Sequence, residues 1–109
     1  MKPKAILGSA RAFLSKSQSW SQGAFAYDRT DSRVSYDAKS ACSWCLEGAI
    51  RRAARLGRAS ETELERALAH VRDVIHVPGH YPSIQGWNDR ETTKHSDVLA
   101  VLDRAIASA

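Results

Sequence analysis

The run SETELERALAHVRDVI, from Ser60 to Ile75, decides the fold class. Ser60 followed three residues later by Glu63 is a capping box, in which hydroxyl and carboxylate satisfy each other's orphan backbone donors at a helix start. Leu64, Leu68, Val71 and Ile75 then recur at three- and four-residue intervals, which lines one helix face with apolar side chains. Such a stripe needs cover from another element. His76-Val77-Pro78-Gly79 closes the run, because proline cannot continue the hydrogen-bond ladder.

The same period appears on both sides of it. Upstream, the spacing predicts a helix over Ala38–Leu56, capped by Asp37, with Ala41, Cys42, Cys45, Leu46, Ala49, Ile50 and Ala53 on one face and Gly57 as the stop. Downstream, Thr93 is placed to cap a last helix over Lys94–Ser108, with Val98, Leu99, Leu102, Ala105 and Ile106 inward. Near the start, Ile6, Leu7, Ala10, Phe13 and Leu14 mark a helix over Lys4–Lys16. Between these first two helices, Ala24–Tyr27 and Arg33–Tyr36 read as short strands around the turn-rich Asp28–Ser32. The predicted fold is mostly α (α+β): four helices with one short β-hairpin between helices 1 and 2, residues 1–109 forming one domain.

Composition bounds the function. The chain has 109 residues and a net charge of +4, with 11 arginines against 5 lysines. No apolar run approaches the roughly 20 residues that span a bilayer, and Met1–Ala10 has no continuous apolar stretch of the signal-peptide kind. The expected setting is therefore the cytoplasm, with no membrane partner and with both cysteines as thiols. A mild positive balance permits nucleic acid or an acidic protein partner and demands neither. No nucleic-acid motif accompanies it, because the aromatics do not interleave with the basic residues.

Four sets of residues carry candidate chemistry. Cys42 and Cys45 form a C-x-x-C, and His76 and His80 an H-x3-H; together they match tetrahedral zinc in number, but the gap between the pairs far exceeds finger spacing. A redox pair would need a βαβ setting, which is missing. Cys42 or Cys45 as nucleophile, His76 or His80 as base and Asn88 or Asp89 as orienting group make a third arrangement, with Cys45, His80 and Asp89 the candidates. Buried cysteines equally serve as small apolar residues. Arg51, Arg55 and Arg58 lie on one side of the second helix, beside Arg52. There they suit the helix dipole, or a contact to an anion or acidic protein surface. Trp87, in a loop, needs cover: it closes the core or anchors a partner. No metal and no cofactor are expected.

Three pieces carry a resemblance. They are Trp20-Ser21-Gln22-Gly23-Ala24-Phe25-Ala26-Tyr27-Asp28, then Trp44-Cys45-Leu46-Glu47-Gly48-Ala49-Ile50, then Trp87-Asn88-Asp89 followed by Leu102-Asp103-Arg104-Ala105-Ile106. In that order they resemble a family of small uncharacterised bacterial and phage proteins, a domain of unknown function, with motifs W-x-Q-G-A, W-C-x-x-G-A-I, W-N-D and a C-terminal L-D-x-A-I. The resemblance implies no catalytic residues. It includes the position of Cys45 and leaves Cys45, Trp87, Asn88 and Asp89 as the residues to watch. Gly48 fits close packing of a loop on the helix. The Ile84–Thr93 loop is expected to lie across the second helix near Cys45. The functional expectation is a small non-enzymatic binding or accessory protein, phage- or mobile-element-encoded, acting on a protein or anionic partner through Arg51, Arg55, Arg58 and Trp87. The alternative is a cysteine-dependent enzyme using Cys45.

Overall fold

Pro3 opens the first helix, where its missing N–H costs nothing and its fixed φ suits the helical turn. The computed structural model describes residues 1–76 and 83–109; His80 and the Pro78-Gly79 stop lie outside the described residues. The described chain forms α1 (Pro3–Phe13), a 3-10 turn (Ser17–Ser19), β1 (Ala26–Tyr27), β2 (Ser43–Trp44), α2 (Leu46–Leu56), α3 (Glu61–Ile75), α4 (Ile84–Asn88) and α5 (His95–Ser108). The fold is mostly helical, with a two-stranded antiparallel sheet between α1 and α2.

The predicted stripes meet in one core. Ile6, Leu7 and Ala10 of α1 pack with Ala49, Ile50 and Ala53 of α2, Leu64, Leu68 and Val71 of α3, and Val98, Leu102 and Ala105 of α5. Each large side chain taken out of water there contributes roughly 1.5–3 kcal/mol before ordering costs. The capping box of α3 is formed: Ser60 N donates to Glu63 Oε1 at 2.8 Å and Glu63 N to Ser60 Oγ at 3.1 Å.

Two local expectations are corrected here. Helix α2 begins at Leu46 with Cys45 as its N-cap, not at Ala38 with Asp37. Asp37 instead accepts from the Ser35 hydroxyl and faces Arg55. The Cys42 amide donates to Tyr27 O at 2.9 Å, which draws the chain into the sheet. Cys42 and Trp44 are therefore not helical. Second, β1 pairs with Ser43–Trp44, in the register Ala26↔Trp44 and Tyr27↔Ser43; the Arg33–Tyr36 stretch gives only a bridge from Arg33 to Tyr27 and a bond from Val34 N to Ala26 O. The intervening turn does form, with Asp28 Oδ1 accepting from Thr30 N and Ser32 N. Pairing with β2 wins because it buries Trp44, whose ring lies 5.6 Å from Phe13 and beneath the Arg52 guanidinium at 5.1 Å. Gly57 does end α2, at an ordinary φ of −82°, while Arg58 takes the left-handed turn at 54°. A side chain at Gly57 would instead meet Met1 Sδ.

The segment read as a loop contains α4, capped by Ser83, whose hydroxyl accepts from Gly86 N at 2.9 Å. Thr93 does not cap α5. Its hydroxyl donates to Trp87 O at 2.8 Å, and the helix starts after Lys94, whose amide donates to Asp97 Oδ2.

Candidate functional site

Asn88, at the end of α4, is fully buried, and a buried amide must find partners for two lone pairs and two N–H groups. It finds all four. Its Oδ1 accepts from Trp20 Nε1 at 2.7 Å and from Leu46 N, in the first turn of α2, at 3.0 Å. Its Nδ2 donates to Ser21 O at 3.2 Å and to Asp89 Oδ1 at 2.9 Å. Gln22 Nε2 donates to the backbone oxygens of Asn88 and Arg90 at 2.9 and 3.1 Å, and Gly23 N donates to Asp89 Oδ1 at 3.0 Å. The three motifs W-x-Q-G, W-C-x-x-G and W-N-D, distant in sequence, are thus one hydrogen-bonded cluster.

Cys45 closes the other side. Its sulfur accepts from Gly48 N at 3.2 Å as the α2 cap and donates to Gln85 Oε1 at 3.2 Å. Gln85 Nε2 in turn donates to Asp89 Oδ2 at 2.9 Å. Cys45 and Asp89 are therefore brought together, with Gln85 between them. Burial pushes the Cys45 thiol up to about 11, and the charges of Glu47 and Asp89 reinforce this against the Gly48 amide. Burial also works to raise the Asp89 carboxyl, but the Gly23 amide and the Asn88 and Gln85 side chains outweigh it, and the group is held below the usual aspartate value. Gly48 is required by the approach of Phe25, just before β1: a Cβ there would stand 2.1 Å from Phe25 O, which already accepts from Cys45 N.

The other candidates lie elsewhere. Cys42 is exposed on the approach to β2. His76 caps the end of α3. His80 lies outside the described residues. Among the described residues no group of three or more His, Cys, Asp or Glu side chains is gathered for a metal. The loop comes to the start of α2 as expected, but through Gln85 and Asn88; Trp87 turns instead to the ends of α3 and the side of α5. Arg51 donates to Glu47 at 2.8 Å and stacks over Phe25, Arg55 is 67% exposed with Asp37 at 3.7 Å, and Arg58 is exposed. Arg51 and Arg55 share a shallow cleft of about 120 Å³ with Tyr36 and the start of α3, well apart from Trp87. Arg52 is structural, donating to Tyr36 O and Ala38 O. Residue-by-residue reading missed Gln85, Trp20 and Gln22 as partners; the signal was in the motifs, each pairing an indole or amide with a neighbouring small or acidic residue.

Set beside known proteins, the chain matches the model described as a family of unknown function (DUF6197) over residues 1–108. No curated protein and no solved structure matches it.

Proposed function

We propose, for a chain that belongs to the DUF6197 family of unknown function, a role as a small non-enzymatic binding or accessory protein that engages an acidic protein surface. In this reading it works in the cytoplasm, as expected from a sequence without a signal-like or membrane-spanning apolar run, and is encoded by a phage or mobile element, which rests on its motif resemblance. The observation that carries the reading is the state of Cys45. The thiol is fully buried, held protonated at neutral pH and engaged on both sides by Gly48 and Gln85. A cysteine nucleophile needs the opposite: exposure and a depressed pKa. Gln85, Asn88 and Asp89 beside it are bonded to each other, as in a fold-holding cluster.

The contact face belongs to α2. Arg55 and Arg58 stand in solvent, and Arg51 is braced by Glu47 beside the half-exposed Phe25. Arginine next to an aromatic ring is the composition of interface anchors. The test pairs two measurements. Tagged protein is used as bait in an extract of its native host at about 50 mM salt, where exposed charges are weakly screened. One discrete protein should co-purify with the wild type and be lost from an Arg55→Glu, Arg58→Gly variant; unchanged recovery rules out this face. In parallel, iodoacetamide should label Cys42 and spare Cys45 until unfolding. Rapid labelling of Cys45 at neutral pH would transfer the case to cysteine catalysis.

A further inference from the structure

The helix α5 residues Asp97, Ala100, Val101 and Arg104 follow the i, i+3, i+4, i+7 spacing and form one wall of a cleft of about 400 Å³. Val74, Ile75 and His76 at the end of α3 and Trp87 of α4 also line it. The volume lies within the range of small-molecule sites, and the lining mixes apolar Val74, Ile75, Val101 and Trp87 with polar and charged residues. Val101 and Ile75 are buried, and Trp87 is partly buried against the core.

The polar groups carry a net positive sign. Arg90 and Arg104 both line the cleft, and neither guanidinium has a hydrogen-bond or ion-pair partner among the described residues. The contrast with α2 is informative, since Arg51 is paired with Glu47 there and Arg52 donates to two backbone carbonyls. The Thr92 side chain is also on the wall. The acidic group facing the cleft is Asp97, and its Oδ2 is already drawn toward the Lys94 amide at the start of α5. Two cations against one engaged carboxylate favour an anion, and forked guanidiniums favour phosphate or carboxylate oxygens.

We propose that this cleft is a binding site for a flat, ring-bearing phosphate, of the chemical class of a nucleoside monophosphate. The ring covers the apolar residues that line the cleft with Trp87, and the phosphate takes the guanidiniums of Arg90 and Arg104. Base stacking on an indole is tolerant of base identity, so the phosphate and the ring, more than one particular base, set the selection. The site is separate from the α2 face, so it stands or falls independently of the protein-partner reading.

The test is an NMR titration of the whole chain, following the three tryptophan indole N–H signals. Trp20 and Trp44 serve as internal controls, because each indole N–H is hydrogen-bonded inside the fold, to Asn88 Oδ1 and to Tyr36 O. Adenosine monophosphate should move the Trp87 signal and leave the other two in place. Adenosine and inorganic phosphate, titrated separately, should each bind at least about tenfold more weakly, a difference of about 1.4 kcal/mol. Arg90→Gln and Arg104→Gln sit on the surface and should each weaken the nucleotide several-fold with the folded spectrum retained. A Trp87 signal unmoved at about 5 mM nucleotide, corresponding to an affinity too weak for a built site, overturns the proposal. So does equal binding of adenosine, or binding that survives loss of both arginines.

Discussion

At the scale of single residues, Asn88 does what no apolar side chain of its size could. Its amide answers an indole, a helix-start N–H, a backbone carbonyl and a carboxylate at once. Asn88→Ala leaves the Leu46 and Trp20 donors unsatisfied at a buried position, and an unsatisfied buried donor costs about 1–3 kcal/mol. The expected loss is roughly 2–5 kcal/mol in urea unfolding, with little change in the slope. A loss within about 0.5 kcal/mol would mean that water replaces the amide without cost. The identity of Asn88 as a candidate was readable from its W-N-D setting. Its role was not, because the partners at positions 20, 21 and 46 are set by tertiary packing alone.

At the scale of elements, the question is why α2 starts where it does. Ala38 to Cys42 has apolar residues at helical spacing, and Asp37 is a good cap type, so the local signal extends the helix by two turns. The sheet overrides it: Cys42 N and Cys45 N are taken by Tyr27 O and Phe25 O, and the thiol takes over as cap. The box at Ser60 and the stripes of α1, α3 and α5 had no such competitor, which is why they were legible to within a few residues. Gly48 tests the override. In an isolated helix, glycine to alanine gains about 1 kcal/mol. Here the added carbon would meet a backbone oxygen at 2.1 Å, and backbone cannot swing aside as a side chain can. Gly48→Ala should therefore lose roughly 1–3 kcal/mol, whereas Gly8→Ala, with open space around it, should gain up to about 1 kcal/mol. Thermal melts of the two variants read the comparison; a gain at both positions would refute the tight approach of Phe25.

At the scale of the molecule, one core and one polar cluster share the work. The core was largely visible in the sequence, because burial follows the apolar period. The cluster was visible only as disconnected motifs, and the cleft at Arg90 and Arg104 not at all, since neither arginine belongs to a pattern. The cluster gives the whole fold a pH signature. Asp89 is held below its ordinary value of 3.8 by donors present only in the folded chain. Its contribution is thus complete above that value and is lost as pH falls below it, when the protonated group can no longer accept from all of them. The melting temperature should fall as pH drops through the range below about 4, and Asp89→Asn should flatten part of that fall. An identical acid profile for the variant would show that the carboxylate is not linked to folding.

The shared oxygen of Asn88 also bears on synthesis. A nascent chain that has emerged only as far as α3 carries an indole at position 20 and an amide at position 46 with no receiver for either. The opening segments can collapse by then but cannot settle, because small domains complete as units. Ribosome-tethered fragments that stop before residue 88 should stay protease-sensitive around Trp20–Gly23, and release of the rest of the chain, with the core residues of α5, should lock them.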